Sequence, residues 1–298
     1  MILEVPKIKR IESTRRQRTI ATKVIIQGFG FWSGQDVIYS FYPAEDNTGI
    51  RFIREDIPNS QPIPALLTYR IKKPRQTSLA TGKAQVDMVE HILAALKGAL
   101  IDNCEVRVSR AEAPGLDGSA RDFIAEFLKA GTEEQASERI RMQIVTEGKY
   151  VDEKNASIFF RPNNDNKSIY TYRLYYDNPS PIPNQTAEFD LTLPPKDFQN
   201  EIASCRTFLT LNEAEVLRSH GLGTRVKAQD ILVYGPNGLI DNKVLFDNEC
   251  ARHKILDMIG DFSLTSFDLV GEIHAQKTGH QQNADALSAI INSIEANF

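Results

Sequence analysis

A polar, glutamate-rich stretch from Gly131 to Arg139 divides this chain into two halves that each combine strands with helices. The stretch has no apolar periodicity, which is typical of a connection between domains. Sheets and amphipathic helices must bury their apolar faces against another layer, and packing the two halves together supplies that layer. We therefore predict an α+β protein with two domains, residues 1–132 and residues 140–298.

Helical periodicity is clearest in three segments, predicted from Val86 to Leu100, from Asp247 to Asp261 and from Gln282 to about Glu295. In the first, apolar residues recur at the spacing i, i+3, i+4 and i+7, which marks a helix face that is buried in a core: Val89, Ile92, Leu93 and Leu96. Glu90 and His91 lie beside this stripe.

Composition excludes several classes of protein. The 298 residues carry 35 Lys and Arg against 39 Asp and Glu, interspersed along the chain, so no nucleic-acid partner is expected. The basic segment from Lys7 to Arg18 is interpreted as a solvated N-terminal arm.

No apolar run reaches the roughly 20 residues that span a bilayer, and no signal peptide is evident, so we expect a cytoplasmic protein. The three cysteines lack metal-binding or redox spacing and are expected to pack as small apolar residues.

The helix predicted from Asp247 carries the most informative chemistry. His253, Asp257 and Asp261 fall on one side of it, opposite an apolar stripe. A histidine and an aspartate one turn apart can both reach one metal ion. The same pair is also common as an ordinary solvated contact between residues i and i+4, so the spacing leaves both interpretations open.

Only five histidines are available as further ligands. His91 is the best candidate, because it lies beside an apolar stripe that is already complete. With His253 and Asp257 it would supply three nitrogen and oxygen ligands and leave one position open for water, as in catalytic zinc sites. Zinc activates a bound water near neutral pH, and Glu90, next to a ligand in the sequence, is placed to take the proton of that water. The alternative is that Glu90 and His91 form a surface pair.

Of the remaining three histidines, one is a candidate catalytic residue and two are expected to have structural roles. His280 follows Gly279 after a strand predicted from Leu269 to Gln276. This position fits the role of a second catalytic group, and it fits an ordinary histidine of a surface loop equally well. His220 is expected to end a helix, where a cation offsets the helix dipole, and His274 lies inside a strand.

Several motifs occur in order along nearly the whole chain: Val89-Glu90-His91, Leu116-Asp117-Gly118-Ser119-Ala120, Arg206-Thr207-Phe208, Arg252-His253-Lys254 through Gly260-Asp261, and Gly279-His280. Their order and spacing resemble those of the zinc-dependent UDP-3-O-acyl-N-acetylglucosamine deacetylases, which remove an acetyl group from a precursor of lipid A. The resemblance implies that His91, His253 and Asp257 bind one Zn²⁺ per chain and that Glu90 is the general base.

Further roles are implied by the same resemblance. His280 would be the acid or electrostatic catalyst, with Asp261 orienting it, and a carboxylate partner would keep the imidazole protonated. Thr207 would help to hold the oxyanion, and Phe208 would pack on the sugar. Lys254 would approach the nucleotide phosphates, for which a point charge is suited.

The fold implied by the resemblance has two domains, each a β-sheet with two helices, and the helices are sandwiched between the two outer sheets. Each domain carries an insert, a small one in the first domain and another near Thr210 to Leu245 in the second. The second insert would form a hydrophobic passage for the acyl chain of the substrate. Leu222, Ile231, Leu232 and Val233 are expected to line it.

The chain departs from the family pattern at two places. Trp32 stands where the family usually has a histidine, and residues 223–230 replace a stretch of small residues and bring two cations into the insert. Two other functions therefore stay open, a deacetylase of another N-acyl sugar or sugar nucleotide and a non-catalytic homologue that binds metal or sugar nucleotide. Glu90 and His280 argue against the second. We expect a monomer whose partner is a small acylated sugar nucleotide.

Overall fold

The computed structural model describes residues 1–177 and 179–295. Its helices are α1 (Glu90–Gly98), α2 (Arg121–Ala130), α3 (Pro195–Glu201), α4 (Leu211–Ser219), α5 (Glu249–Phe262) and α6 (His280–Glu295). Its strands are β1 (Ile2–Glu4), β2 (Ile8–Ile11), β3 (Arg16–Ile20), β4 (Val24–Phe29), β5 (Asp36–Pro43), β6 (Ile50–Arg54), β7 (Ile63–Pro64), β8 (Arg70–Ile71), β9 (Ser78–Thr81), β10 (Ala84–Asp87), β11 (Cys104–Val108), β12 (Thr132–Glu138), β13 (Arg141–Ile144), β14 (Gly148–Val151), β15 (Ser157–Arg161), β16 (Ser168–Leu174), β17 (Gln185–Asp190), β18 (Phe208–Thr210), β19 (Leu232–Gly235), β20 (Gly238–Leu239) and β21 (Asp268–Gln276).

Two large sheets form the outer layers. One has five strands in the order β4-β5-β11-β6-β7. The other has eight, in which β1-β14-β15-β21-β13-β2 form one path and β16, paired with β17, joins β21. Smaller sheets are β8-β9-β10, which precedes α1, and β18-β19-β20, which lies in the insert. The pairs β16/β21 and β13/β21 are parallel, whereas β15/β21 is antiparallel, so the large sheet is mixed.

Helices α1, α2, α5 and α6 lie between these sheets, whereas α4 packs on the small sheet of the insert. On one side Phe127 of α2 packs edge-on against Phe41 of β5, with ring centroids 4.9 Å apart. On the other side Phe262 of α5 packs against Phe160 of β15 at 6.3 Å. The helices α1 and α5 meet in the middle. The α+β class is thus confirmed, and α3 and α4 add two short helices to the second half.

The first helix begins later than predicted. The segment Val86–Leu100 was expected to be one helix, whereas β10 includes Val86 and α1 begins only at Glu90. Met88 adopts a left-handed backbone with φ of 57°, which turns the chain from strand to helix within two residues. Glu90 and His91 therefore occupy the first turn of a buried helix, with 2% and 6% of their surface exposed. The alternative of a surface pair is wrong.

The polar stretch Gly131–Arg139 is a strand rather than an unstructured connection. It forms β12, which pairs with β3 in an antiparallel ribbon that places Glu134 opposite Arg18 and Glu138 opposite Arg16. Opposite charges at facing positions of a ribbon favour the pairing. The side-chain amide of Gln135 also donates to the carbonyl oxygen of Ala44 at 2.9 Å, and the backbone N–H of Ser137 donates to Asp46 at 2.8 Å, so this segment is anchored without apolar periodicity.

The basic segment Lys7–Arg18 forms β2 and the start of β3, so it is not an arm that precedes the first strand, although four of its six cations are exposed to solvent. The strands β1 and β2 join the eight-stranded sheet through β14 and β13. The first eleven residues therefore pair with strands of the second half. The division into residues 1–132 and residues 140–298 stays a prediction.

A glycine permits the close crossing of the two central helices. A Cβ atom on Gly260 of α5 would lie 2.1 Å from the backbone oxygen of Glu90 in α1, a distance that no side chain can adopt. Because Glu90 precedes His91, and Gly260 follows Asp257 by one turn, this contact brings the predicted ligands of the two halves together.

Cys104, Cys205 and Cys250 are free thiols and all three are buried, as expected for residues that pack as small apolar groups. Within the described part of the chain, no helix combines the length and the apolar character needed to cross a membrane.

Candidate metal centre and catalytic pocket

Three potential ligand atoms converge where α1 crosses α5. His91 projects from the first turn of α1, whereas His253 and Asp257 lie one turn apart on α5. Nε2 of His91 and Nε2 of His253 each lie 3.5 Å from Oδ1 of Asp257. The three ligand atoms all lie within 4.8 Å of one another. One ion between them could contact all three, so the predicted ligands are brought together.

The protonation states of the α5 ligands suit a metal ion. Nδ1 of His253 lies 3.0 Å from the carbonyl oxygen of Cys205 and is assigned as the donor, which leaves the Nε2 lone pair facing the cluster. Burial lowers the pKa of His253 to about 4, so the imidazole is neutral near pH 7. Burial opposes ionisation of Asp257, but Lys254 and His253 outweigh it and hold the pKa of Asp257 well below its ordinary value. The neutral imidazole of His253 and the carboxylate of Asp257, together with the imidazole of His91, fit a divalent ion such as zinc.

Lys254 contacts this ligand directly. Its ammonium donates to Oδ2 of Asp257 at 2.7 Å, which leaves Oδ1 directed toward the two imidazoles. The same ammonium lies 5.8 Å from the ring centroid of Tyr172. Lys254 also lines the large cavity described below, which is where a nucleotide phosphate is expected.

Glu90 and His280 face each other beside the ligands. Oε1 of Glu90 lies 3.7 Å from Nε2 of His280. Burial raises the pKa of Glu90, as suits a general base. Burial disfavours the charge of His280, but the carboxylates of Asp261 and Glu90 outweigh it and raise the pKa of His280 to about 9. A basic carboxyl group and an acidic imidazolium therefore lie side by side, and His280 is not a surface residue.

Asp261 holds His280 and is itself held by two residues that the sequence did not single out. Its Oδ2 accepts hydrogen bonds from Nδ1 of His280 at 2.9 Å and from Nδ2 of Asn283 at 2.8 Å. Its Oδ1 accepts a hydrogen bond from Oγ1 of Thr77 at 2.5 Å. Thr77 lies just before β9, and no periodicity or spacing connects it with α5. Asn283 follows His280 on α6 by one turn, a spacing that helical geometry could have flagged.

A cavity of about 810 Å³ opens over these groups. Thr207 and Phe208 lie on its wall. Oγ1 of Thr207 donates to the carbonyl oxygen of Gly118 at 2.9 Å and lies 3.4 Å from Nε2 of His253. The ring of Phe208 meets the His253 ring edge-on, with centroids 6.0 Å apart. Four further cations line the cavity: Lys72, Lys73, Arg75 and Lys277. Every residue predicted for catalysis or substrate binding therefore contributes to this cavity or directly contacts a residue that does.

A smaller apolar cavity of about 140 Å³ lies in the predicted insert. Leu222, Ile231 and Val233 line it, as expected. Leu232 is fully buried but is not among the lining residues, because successive side chains of an extended segment point to opposite faces. The expectation for Leu232 is therefore wrong, and Leu209 is among the lining residues that were not predicted.

Trp32 lies at the junction of the two cavities and lines both. The backbone N–H groups of Trp32 and Ser33 donate to the carboxylate of Glu112 at 2.6 and 2.9 Å, which fixes this turn. Arg225 lies on the outside of the same turn, where it donates to the carbonyl oxygen of Gly34 and to Asp36, both at 2.7 Å. Of the two cations in the altered insert segment, only Lys227 lines the apolar cavity.

Known proteins resemble this chain over most of its length. A family model described as UDP-3-O-acyl N-acetylglycosamine deacetylase matches residues 17–292. The UDP-3-O-acyl-N-acetylglucosamine deacetylases of Citrifermentans bemidjiense and Psychrobacter cryohalolentis are 33% and 34% identical, over 92% and 91% of this chain and 88% and 84% of their own lengths. The bifunctional enzyme LpxC/FabZ of Chlorobaculum tepidum is 32% identical over 94% of this chain, which spans 65% of that longer protein. The chain therefore belongs to the UDP-3-O-acyl N-acetylglycosamine deacetylase family of enzymes.

Proposed function

We propose that this protein removes acetate from UDP-3-O-acyl-N-acetylglucosamine in lipid A biosynthesis, using one zinc ion held by His91, His253 and Asp257. The observation that carries the proposal is the convergence of these three ligand atoms beside Glu90 and His280, at the wall of one large cavity. Zinc bound by such a ligand set supplies Lewis acidity, which makes water a usable nucleophile near neutral pH.

Glu90 takes the proton of the attacking water. Its Oε2 accepts a hydrogen bond from the backbone N–H of Thr77 at 2.9 Å, whereas Oε1 faces the cavity side and His280. Burial raises the pKa of Glu90 and so strengthens it as a base. The water oxygen forms a bond to the acetamide carbon as its proton passes to Glu90.

His280 serves the second half of the reaction. Because its pKa is raised to about 9, the imidazole carries a proton on Nε2 near pH 7, on the side that faces Glu90. The positive charge stabilises the developing oxyanion, to which the Thr207 hydroxyl can also turn from its bond with Gly118. When the carbon–nitrogen bond breaks, His280 transfers its proton to the departing amine, so acetate and the free amino sugar are released.

The cavity walls suggest how the substrate is held. The sugar would pack on Phe208, and the diphosphate would lie near Lys254 and the cations that line the large cavity. The acyl chain would pass Trp32 into the apolar cavity of the insert. Burial of each methylene stabilises binding by about 0.8 kcal/mol.

The proposed enzyme is a cytoplasmic monomer. Its metal ligands, Glu90 and His280 all come from one chain, so no second subunit is needed to complete the catalytic centre. A sedimentation experiment on the purified protein tests the oligomeric state.

Release of acetate from UDP-3-O-acyl-N-acetylglucosamine by purified protein is the direct test of the proposed function. The zinc-reconstituted enzyme and the metal-free protein are compared at equal concentration, with UDP-N-acetylglucosamine as the second substrate. Turnover of the acylated compound that needs metal supports the proposal. Comparable kcat/KM for both substrates favours the paralogous deacetylase, and no turnover of either favours the non-catalytic homologue.

A further inference from the structure

Thr77 contacts both Glu90, the proposed base, and Asp261, the residue that holds the proposed acid His280. Its backbone N–H donates to Oε2 of Glu90 at 2.9 Å, and its hydroxyl donates to Oδ1 of Asp261 at 2.5 Å. The residue is fully buried. Its carbonyl oxygen accepts a hydrogen bond from the backbone N–H of Val89 at 3.2 Å, so the Thr77 backbone is tied to the start of α1.

These contacts close a ring of four residues. From Thr77 the ring passes through Asp261 to Nδ1 of His280 at 2.9 Å. It continues from Nε2 of His280 to Oε1 of Glu90, 3.7 Å away, and returns through Oε2 of Glu90 to Thr77. Three elements from different parts of the chain, α1, α5 and α6, meet in this ring, and Thr77 joins the first two.

We propose that Thr77 is a positioning residue for deacetylation, which sets the placement of the His280 imidazole relative to the Glu90 carboxylate. The inference rests on the proposed function, because it assigns Thr77 to the same reaction. Thr77 itself is directed at the two carboxylates, so it acts through Glu90 and Asp261 rather than on the substrate.

The hydroxyl is essential to this role because no solvent can replace it at a fully buried position. Without it, Oδ1 of Asp261 loses its hydrogen-bond donor, and only the bonds of Oδ2 to His280 and Asn283 hold the carboxylate. The aspartate could then rotate and carry the imidazole out of alignment. Loss of a partner that orients a catalytic group typically lowers activity by about 10- to 100-fold.

The experiment compares Thr77→Val, which keeps the shape and removes the hydroxyl, with Thr77→Ser, which keeps the hydroxyl. Thr19→Val is the matched control. Thr19 is also buried and hydrogen-bonded in the same half, donating to the carbonyl oxygen of Asn103 at 2.8 Å and accepting from the N–H of Ala44 at 2.9 Å, and it does not line the large cavity. The variants are assayed with zinc for kcat, KM, metal content and melting temperature.

Thr77→Val is expected to lower kcat at least tenfold while KM changes by less than about threefold, and Thr77→Ser to retain kcat within about threefold of the parent enzyme. Thr19→Val should lower the melting temperature without lowering kcat. The proposal is overturned if Thr77→Val keeps the kcat of the parent enzyme. It is also overturned if kcat falls as far in Thr77→Ser as in Thr77→Val. Should Thr77→Val fail to fold, Thr77→Ala is compared with Thr77→Ser by the same criteria.

A second measurement separates this inference from the proposed function. In metal-free protein, the Nδ1 proton of His280 is followed by NMR as a hydrogen-bonded resonance. Thr77→Val should shift this resonance and Thr19→Val should not, whether or not the parent enzyme turns over the acylated sugar nucleotide. An unchanged resonance in Thr77→Val contradicts the positioning role. An inactive parent enzyme with a shifted resonance contradicts only the proposed substrate.

Discussion

Nδ1 of His280 donates a hydrogen bond to Oδ2 of Asp261 at 2.9 Å, across the junction between α6 and α5. The bond leaves Nε2 of the imidazole as the atom that faces Glu90. Helix α5, which carries two of the proposed metal ligands, therefore also fixes which nitrogen of His280 can serve the substrate. The rate of a reaction that needs this acid should depend on pH, because the acid acts only in its protonated form.

The rate is expected to fall on the basic side as His280 loses its proton. The carboxylates of Asp261 and Glu90 raise its pKa to about 9, so the acid form is present below that pH and is lost as the pH rises through it. The charge of a nearby bound metal ion would move this limb to lower pH. The measurement is kcat/KM from pH 5 to 10. A His280→Ala variant that keeps the same basic limb would remove His280 from the mechanism.

Replacing Glu90 by Gln should lower kcat by about 10²- to 10⁴-fold, because the amide has no basic oxygen for the proton of water. The amide can still accept the hydrogen bond from Thr77, so the fold and the metal content should stay near those of the parent enzyme. Both are checked by melting temperature and elemental analysis. Loss of the metal in parallel with loss of activity would mean that Glu90 is a ligand.

One equivalent of zinc per chain is expected. Asp257→Ala should abolish most zinc binding, because it removes the carboxylate that lies next to both imidazoles. Inductively coupled plasma mass spectrometry on dialysed protein gives the stoichiometry. Asp122→Ala, at an exposed aspartate on α2, serves as the control and should bind zinc normally. Absence of stoichiometric metal from the parent protein after zinc reconstitution would contradict the site.

A charge cluster outside the site should make stability depend on pH. Asp268 contacts Lys97, lies 2.8 Å from Nε of Arg139 and lies 3.1 Å from Nη2 of Arg15. Burial opposes its charge, but these cations hold the pKa of Asp268 far below its ordinary value. The stabilisation is therefore present above about pH 3.9, where an unfolded aspartate ionises, and is lost as the pH falls through the folded pKa.

Asp268→Asn should accordingly lower the free energy of unfolding by about 2 kcal/mol at pH 7, less than a fully buried pair because Asp268 is partly exposed. The difference from the parent protein should shrink below about pH 4. Urea unfolding at pH 7, 5 and 3.5 measures it, with the exposed Asp122→Asn as the control. A difference that stays constant across this range would show that the charge of Asp268 contributes nothing.

The acylated substrate should be preferred over UDP-N-acetylglucosamine at least tenfold in kcat/KM, because two buried methylenes already supply about 1.6 kcal/mol. Arg225 does not oppose this, since its charge is bonded to Gly34 and Asp36 on the outside of the turn. Val233→Glu, inside the apolar cavity, should reduce the preference, whereas Arg225→Lys should not. Equal kcat/KM for both substrates in the parent enzyme would contradict a functional passage.

Local sequence patterns were sufficient for part of the site. His253 and Asp257 lie four residues apart in a predicted helix, so their shared direction follows from helix geometry alone. The same reasoning found α5, α6 and β21 within a few residues of their observed ends. It failed for β12, because a polar strand whose order depends on its pairing with β3 has no apolar signal of its own.

The sequence by itself determined which residues could act as ligands, acid and base, because these are properties of residue type and of spacing within one element. Only the tertiary structure decided that they meet. Gly260 lets α5 approach the backbone of Glu90, and this contact brings His91 to His253 and Asp257 from a distant part of the chain. Thr77 could not be found from the sequence for the same reason, since its bond to Asp261 spans 184 positions and depends on the packing of the two halves.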